Sequence, residues 1–123
     1  MTIGQIKSQV QSMYRNDYSD AIITSWIDRL DRTIFNEVVK THYGAAEDFD
    51  GYNVDTDADT VLIAPAPYDD IYMYYIMMNI DIMNSEAERA QNDAILFKES
   101  YQSFVDHYNR TYMPTMKIKE FKL

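Results

Sequence analysis

From Tyr68 to Met113 the chain contains neither glycine nor proline, and through this run the apolar residues keep a single phase. Ile76, Ile80, Met83, Ala87, Ala90, Ala94, Phe97, Tyr101, Phe104 and Tyr108 follow one another at alternating spacings of four and three. That is a heptad seam, and it commits the second half of the chain to helix. Two helices joined by a loop would be free to change phase. The unbroken phase therefore favours one long helix, continuous or kinked near residue 85. Against this, Asn84-Ser85-x-x-Glu88 reads as a break followed by a new capping box. A helix of about 45 residues would also be ~68 Å long, where a compact domain of this length is only ~35 Å across. The three alanines predict a close crossing with another backbone.

The first half reads as two further helices. Thr2-x-x-Gln5 is a capping box that opens a helix over 1–15, with Ile3, Ile6, Val10 and Met13 on one face. Asn16, Asp17 and Ser19 end it. Ser19 or Asp20 caps a second helix over 19–43, whose stripe is Ile23, Trp26, Ile27, Leu30, Ile34, Val38 and His42. Gly44 stands where a left-handed residue would close it.

Between the helices, 45–66 reads as an extended insert. Tyr52 and Val54 lead into the acidic turn Asp55-Thr56-Asp57-Ala58-Asp59, and Val61 and Ile63 lead out, which predicts a small β-hairpin. Pro65 and Pro67 end it, Pro67 suits the first turn of the long helical region over 67–112, and Asp69 and Asp70 complement its dipole. After Pro114 the tail 114–123 carries three lysines among Met116, Ile118, Phe121 and Leu123. The fold class expected is mainly α: one domain, a helical bundle with one long C-terminal helix and a β-hairpin insert.

Charge and composition narrow the function. Twenty acidic residues against 11 basic ones give a net charge of −9, which argues against gripping phosphates; it is read first as a solubilising charge, and it also permits an acidic wall that repels DNA. The most apolar stretch, Ile71 to Met83, is interrupted by Asn79 and Asp81 and would span only ~20 Å as a helix, so a buried helix is expected and not a membrane span. The N-terminus shows no signal-peptide pattern. Without cysteine there is no thiol chemistry. Many of the eleven tyrosines and eight methionines must be ordinary core; beyond that, tyrosine suits surfaces that are wet before assembly and dry after it, and methionine is adaptable filler.

The chemistry that might be present lacks its parts. Asp55-x-Asp57-x-Asp59 opens like a calcium loop, but the sixth and twelfth positions are Thr60 and Ala66, not glycine and glutamate. Neither His42 nor His107 has a metal-ligating partner at helical spacing. His42 is expected at a helix end, and His107 as a partly exposed neighbour of Tyr108. The pairs Asp69/Asp70 and Glu86/Glu88 suit helix starts. No nucleophile elbow or phosphate loop is present, so no enzyme, cofactor or metal is expected.

Three stretches carry a resemblance: Pro65-Ala66-Pro67-Tyr68-Asp69-Asp70-Ile71-Tyr72, Ile80-Asp81-Ile82-Met83-Asn84-Ser85-Glu86, and Phe104-Val105-Asp106-His107-Tyr108-Asn109-Arg110-Thr111. Over roughly 50–114 the chain resembles the small head–tail connector, or head-completion, proteins encoded beside capsid genes of tailed bacteriophages and prophages. It departs from them at Ala90-Gln91-Asn92, where an aromatic beside the asparagine is expected, so the subgroup stays open. The resemblance implies a non-catalytic virion protein of the phage neck. It would be made in the host cytoplasm and assemble as a homo-oligomeric ring with portal and tail proteins, without membrane or specific nucleic-acid binding. The expected assembly contacts are Tyr52, Val54, Val61 and Ile63 in the insert, and Met116, Ile118, Phe121 and Leu123 in the tail. The alternative is a small helical regulator that binds one host or phage protein.

Overall fold

The structure is a computed structural model and describes residues 1–14, 18–42 and 48–111. Among the described residues four α-helices carry the fold: α1 (Ile3–Tyr14), α2 (Asp20–Glu37), α3 (Asp70–Met83) and α4 (Ala87–Thr111), with a 3₁₀ turn at Val39–Thr41 following α2. The mainly helical expectation is met.

α1 starts at its capping box. The Thr2 amide donates to Gln5 Oε1 at 2.9 Å, and the Gln5 amide donates to Thr2 Oγ1 at 3.2 Å. Two more amides of the first turn find carbonyls in the insert, Ile3 N to Thr60 O at 2.9 Å and Gly4 N to Ala58 O at 3.0 Å. A β-carbon at Gly4 would lie 2.8 Å from that Ala58 oxygen, so only glycine allows the approach. Ile3, Ile6 and Val10 are buried as expected, whereas Met13 is exposed.

Ser19 caps α2, its Oγ accepting from the Ile22 amide at 3.3 Å. Every residue of the expected stripe, from Ile23 to His42, is buried. The α-helix stops at Glu37 and tightens into the 3₁₀ turn, earlier than expected; Gly44 lies outside the described residues. Lys7 pairs with Asp20 at 3.2 Å, tying α1 to the start of α2.

The long helix is corrected. It breaks at 84–86, and α3 and α4 fold back on each other as an antiparallel hairpin, with Tyr75 over Phe97 at a ring separation of 5.5 Å. The turn is a Schellman motif: Ser85 takes the left-handed conformation at φ 61°, its amide donates to Ile82 O at 3.1 Å, and the Glu86 amide donates to Asp81 O at 2.8 Å. α4 begins directly after Glu86, whose carbonyl accepts from the Ala90 amide at 2.9 Å, without the capping box read at Ser85. The seam faces inward on both arms, burying Ile76, Ile80, Ala90 and Phe104, while Met83 and Ala87 at the turn are exposed. Tyr18 joins the turn to the core: its hydroxyl donates to Asn84 Oδ1 at 2.9 Å, and its ring lies 5.8 Å from that of Trp26.

The β-hairpin is corrected as well. Residues 48–69 form no strand: 48–53 are irregular and turns follow from Val54 to Asp69, with a single antiparallel bridge pairing Val61 with Thr2 of α1's approach. Pro67 lies in the turns before α3, not in its first turn.

Candidate interaction surface

What holds the insert without strands is a buried acid. Asp31 lies on the core face of α2 and is fully inaccessible to solvent. Its Oδ2 accepts from the Tyr52 hydroxyl at 2.6 Å and the Ile63 amide at 3.2 Å, and its Oδ1 accepts from the Tyr72 hydroxyl at 2.6 Å. Tyr72 in turn accepts from the Ala64 amide at 2.9 Å, and Asp28 accepts from the Tyr52 amide at 2.8 Å. Three amides that a hairpin could place in a ladder, those of Tyr52, Ile63 and Ala64, are thus taken by side chains of α2 and α3, and that of Leu62 by the Met1 carbonyl at 3.0 Å. Burial raises the Asp31 carboxyl above the ordinary aspartate range, opposed by the three hydrogen bonds and aided by nearby Asp28. Burial and the Asp31 charge both raise the Tyr52 and Tyr72 hydroxyls, so these stay protonated donors. The cluster is sealed, and its chemistry is that of a rivet.

That rivet sorts the expected contact residues of the insert. Tyr52 and Ile63 are half-buried against the core. Val54 and Val61 point outward, at 55% and 70% exposure. The four therefore do not share one face. Met116, Ile118, Phe121 and Leu123 lie outside the described residues.

A further set of exposed apolar residues lies on the α3–α4 hairpin, which sequence reasoning did not select. Ile82 and Met83 are 58% and 57% exposed, and Ile95 and Leu96 stand out from the same arm of α4. A groove of about 400 Å³ is lined there by Ile82, Ser85, Glu86, Ala87, Ala90 and Gln91. The signal in the sequence was that Ile82, Ile95 and Leu96 are apolar yet fall off the heptad seam. A second, methionine-lined groove of about 290 Å³ runs between α1 and α3, walled by Gln9, Ser12, Met13, Met73 and Met77.

Behind the tip, Asp81 and Asp93 are buried side by side across the two arms, and Asp93 Oδ2 has no hydrogen-bond partner. Burial first, then the hydrogen bond and charge of Asp81, push the Asp93 carboxyl up to about 6, with Arg89 pulling the other way.

The remaining candidates are occupied locally. Asn53 Oδ1 accepts from the Asp55 amide at 2.8 Å and Asp57 Oδ1 from the Asp59 amide at 2.9 Å, so the acidic stretch is a pair of Asx turns. His42 sits at a helix end as expected, with Nδ1 2.6 Å from Val38 O and Nε2 2.8 Å from the Asn109 side chain. His107 is half-buried and stacks on Tyr68, with ring centres 4.6 Å apart. Among the described residues no three His, Asp or Glu side chains converge as a metal site, and no helix is long and apolar enough to cross a membrane.

No family model matches the chain, and no curated protein or solved structure matches it.

Proposed function

We propose that this chain is a non-catalytic structural protein of the phage virion, a head–tail connector. It works through protein–protein contacts in the neck, as a homo-oligomeric ring between portal and tail proteins, after synthesis in the host cytoplasm. The observation that carries this reading is the hairpin tip: Ile82 and Met83 are held outward at the end of two packed helices, beside an apolar groove. Exposed apolar side chains on a rigid element are a docking feature. The charge of −9 supports passing DNA without holding it. The resemblance over 50–114 supplies the biological setting.

The test is in-vitro joining of heads to tails with lysates that lack this chain, with purified protein added back. Wild-type protein is expected to restore infectious particles. Ile82→Asp, at an exposed site that leaves the core intact, is expected to cut joining at least tenfold with unchanged helical content. Joining that proceeds equally well without the protein would overturn the reading and favour the small helical regulator.

A further inference from the structure

We propose that the tip groove of one copy receives the segment 116–123 of a second copy. This placement rests on the ring assembly proposed above, and it names the two surfaces that would meet.

The groove offers an apolar floor with an acidic rim. Ile82, Ala87 and Ala90 line it, Glu86 lies at its edge, and Glu88 is exposed beside it, with Arg89 the basic side chain of the same turn. The segment is its complement. Met116-Lys117-Ile118-Lys119-Glu120-Phe121-Lys122-Leu123 carries three lysines against one glutamate and four large apolar residues. A volume of about 400 Å³ accommodates an aromatic and an aliphatic side chain together, which suits Phe121 with Leu123.

Length argues for a second copy as the source. The groove's nearest wall on α4, Gln91, is ~30 Å along the helix axis from Thr111. Even fully extended, the chain carries Ile118 only ~24 Å beyond Thr111, and Phe121 only ~34 Å. Its own segment would have to run taut along α4 to touch the near wall, leaving Met116 and Ile118 short of it. A neighbouring copy has no such limit. A groove at one end of the hairpin and an arm at the other also make a head-to-tail contact, the kind that closes rings.

The chain lacks cysteine, so disulfide trapping is clean. Full-length protein carrying Ile82→Cys is mixed with a size-tagged copy carrying Phe121→Cys under mild oxidation. An interchain cross-link is expected, at least tenfold above a control pair with Ser103→Cys, an exposed α4 site, in place of Ile82→Cys. Adding Glu86→Lys and Glu88→Lys to the groove copy should reduce it about tenfold. Lys117→Glu, Lys119→Glu and Lys122→Glu on the arm copy should then restore it. Yields no better than the control overturn the proposal, as does a disulfide closing within one chain that carries both substitutions. If heads and tails still require the protein but the cross-link is absent, the groove assignment alone falls. If the cross-link forms but joining never needs the protein, the connector reading falls and the groove stands.

Discussion

Two buried acid sites face opposite fates in this molecule. Asp31 is sealed in the core with three donors on its oxygens, while Asp93 is buried beside another carboxyl with one oxygen left bare. Burial raises the pKa of both. What separates them is donors. Asp31 collects two hydroxyls and an amide from the insert and α3 and so fixes the insert against α2 and α3. Asp93 collects a like charge and strains the hairpin that carries the tip. A buried carboxyl is a fastener when its acceptors are filled and a point of weakness when they are not.

The comparison breaks first at Asp31. Asp31→Ala leaves the Tyr52 and Tyr72 hydroxyls and the Ile63 amide without their acceptor, and should cost ~3–5 kcal/mol in urea unfolding. A loss below about 1 kcal/mol would mean the cluster fastens nothing.

Asp93 should behave in the opposite sense. Its folded pKa lies above the usual 3.8, at about 6, so its contribution to stability is full below about 3.8 and is lost as pH rises through about 6. Asp93→Asn replaces the ionised group by an amide that can donate to Asp81. It should raise stability by ~1–2 kcal/mol at pH 7 and give little or nothing near pH 4. Thermal melts of both proteins across that range check the sign. A variant less stable than wild type at pH 7 would show that the bare oxygen has a partner in solution.

The smallest effect sharpens the account of the turn between Asp81 and Asp93. Ser85 occupies a left-handed position, so Ser85→Gly should stabilise by ~0.5–1 kcal/mol. A loss of stability would show that the hydroxyl makes a contact that offsets the strain.

How far the sequence reached differs along the same lines. α1 and α2 were legible because their signals are local: Thr2 and Gln5 bond each other within one turn, and the stripe from Ile23 to His42 is one face of one helix. The hairpin was not, for two reasons. Two antiparallel arms each turn their seam inward, so an unbroken heptad phase cannot tell a long helix from a folded one. The Schellman turn uses serine where glycine would have announced it. The β-hairpin failed because the amides of Tyr52, Ile63 and Ala64 go to Asp28, Asp31 and Tyr72 and that of Leu62 to the Met1 carbonyl, while those of Asn53, Asp55, Thr56, Asp59 and Thr60 close local turns. Even so, Asp31 carried a mark: it stands four residues after Ile27 and three before Ile34, a charge inside an apolar stripe. The tip could be read from Ile82, Ile95 and Leu96, apolar and off the seam, once the fold had shown where they point.

The hydrogen bond from Tyr18 to Asn84 has a practical side. Trp26 is the chain's single tryptophan, and its ring neighbour is the tyrosine that holds the turn at Ser85. At this separation tyrosine passes excitation to tryptophan with high efficiency. Trp26 emission should therefore shift when Tyr18 is displaced from the turn, which gives a label-free check on whatever docks there.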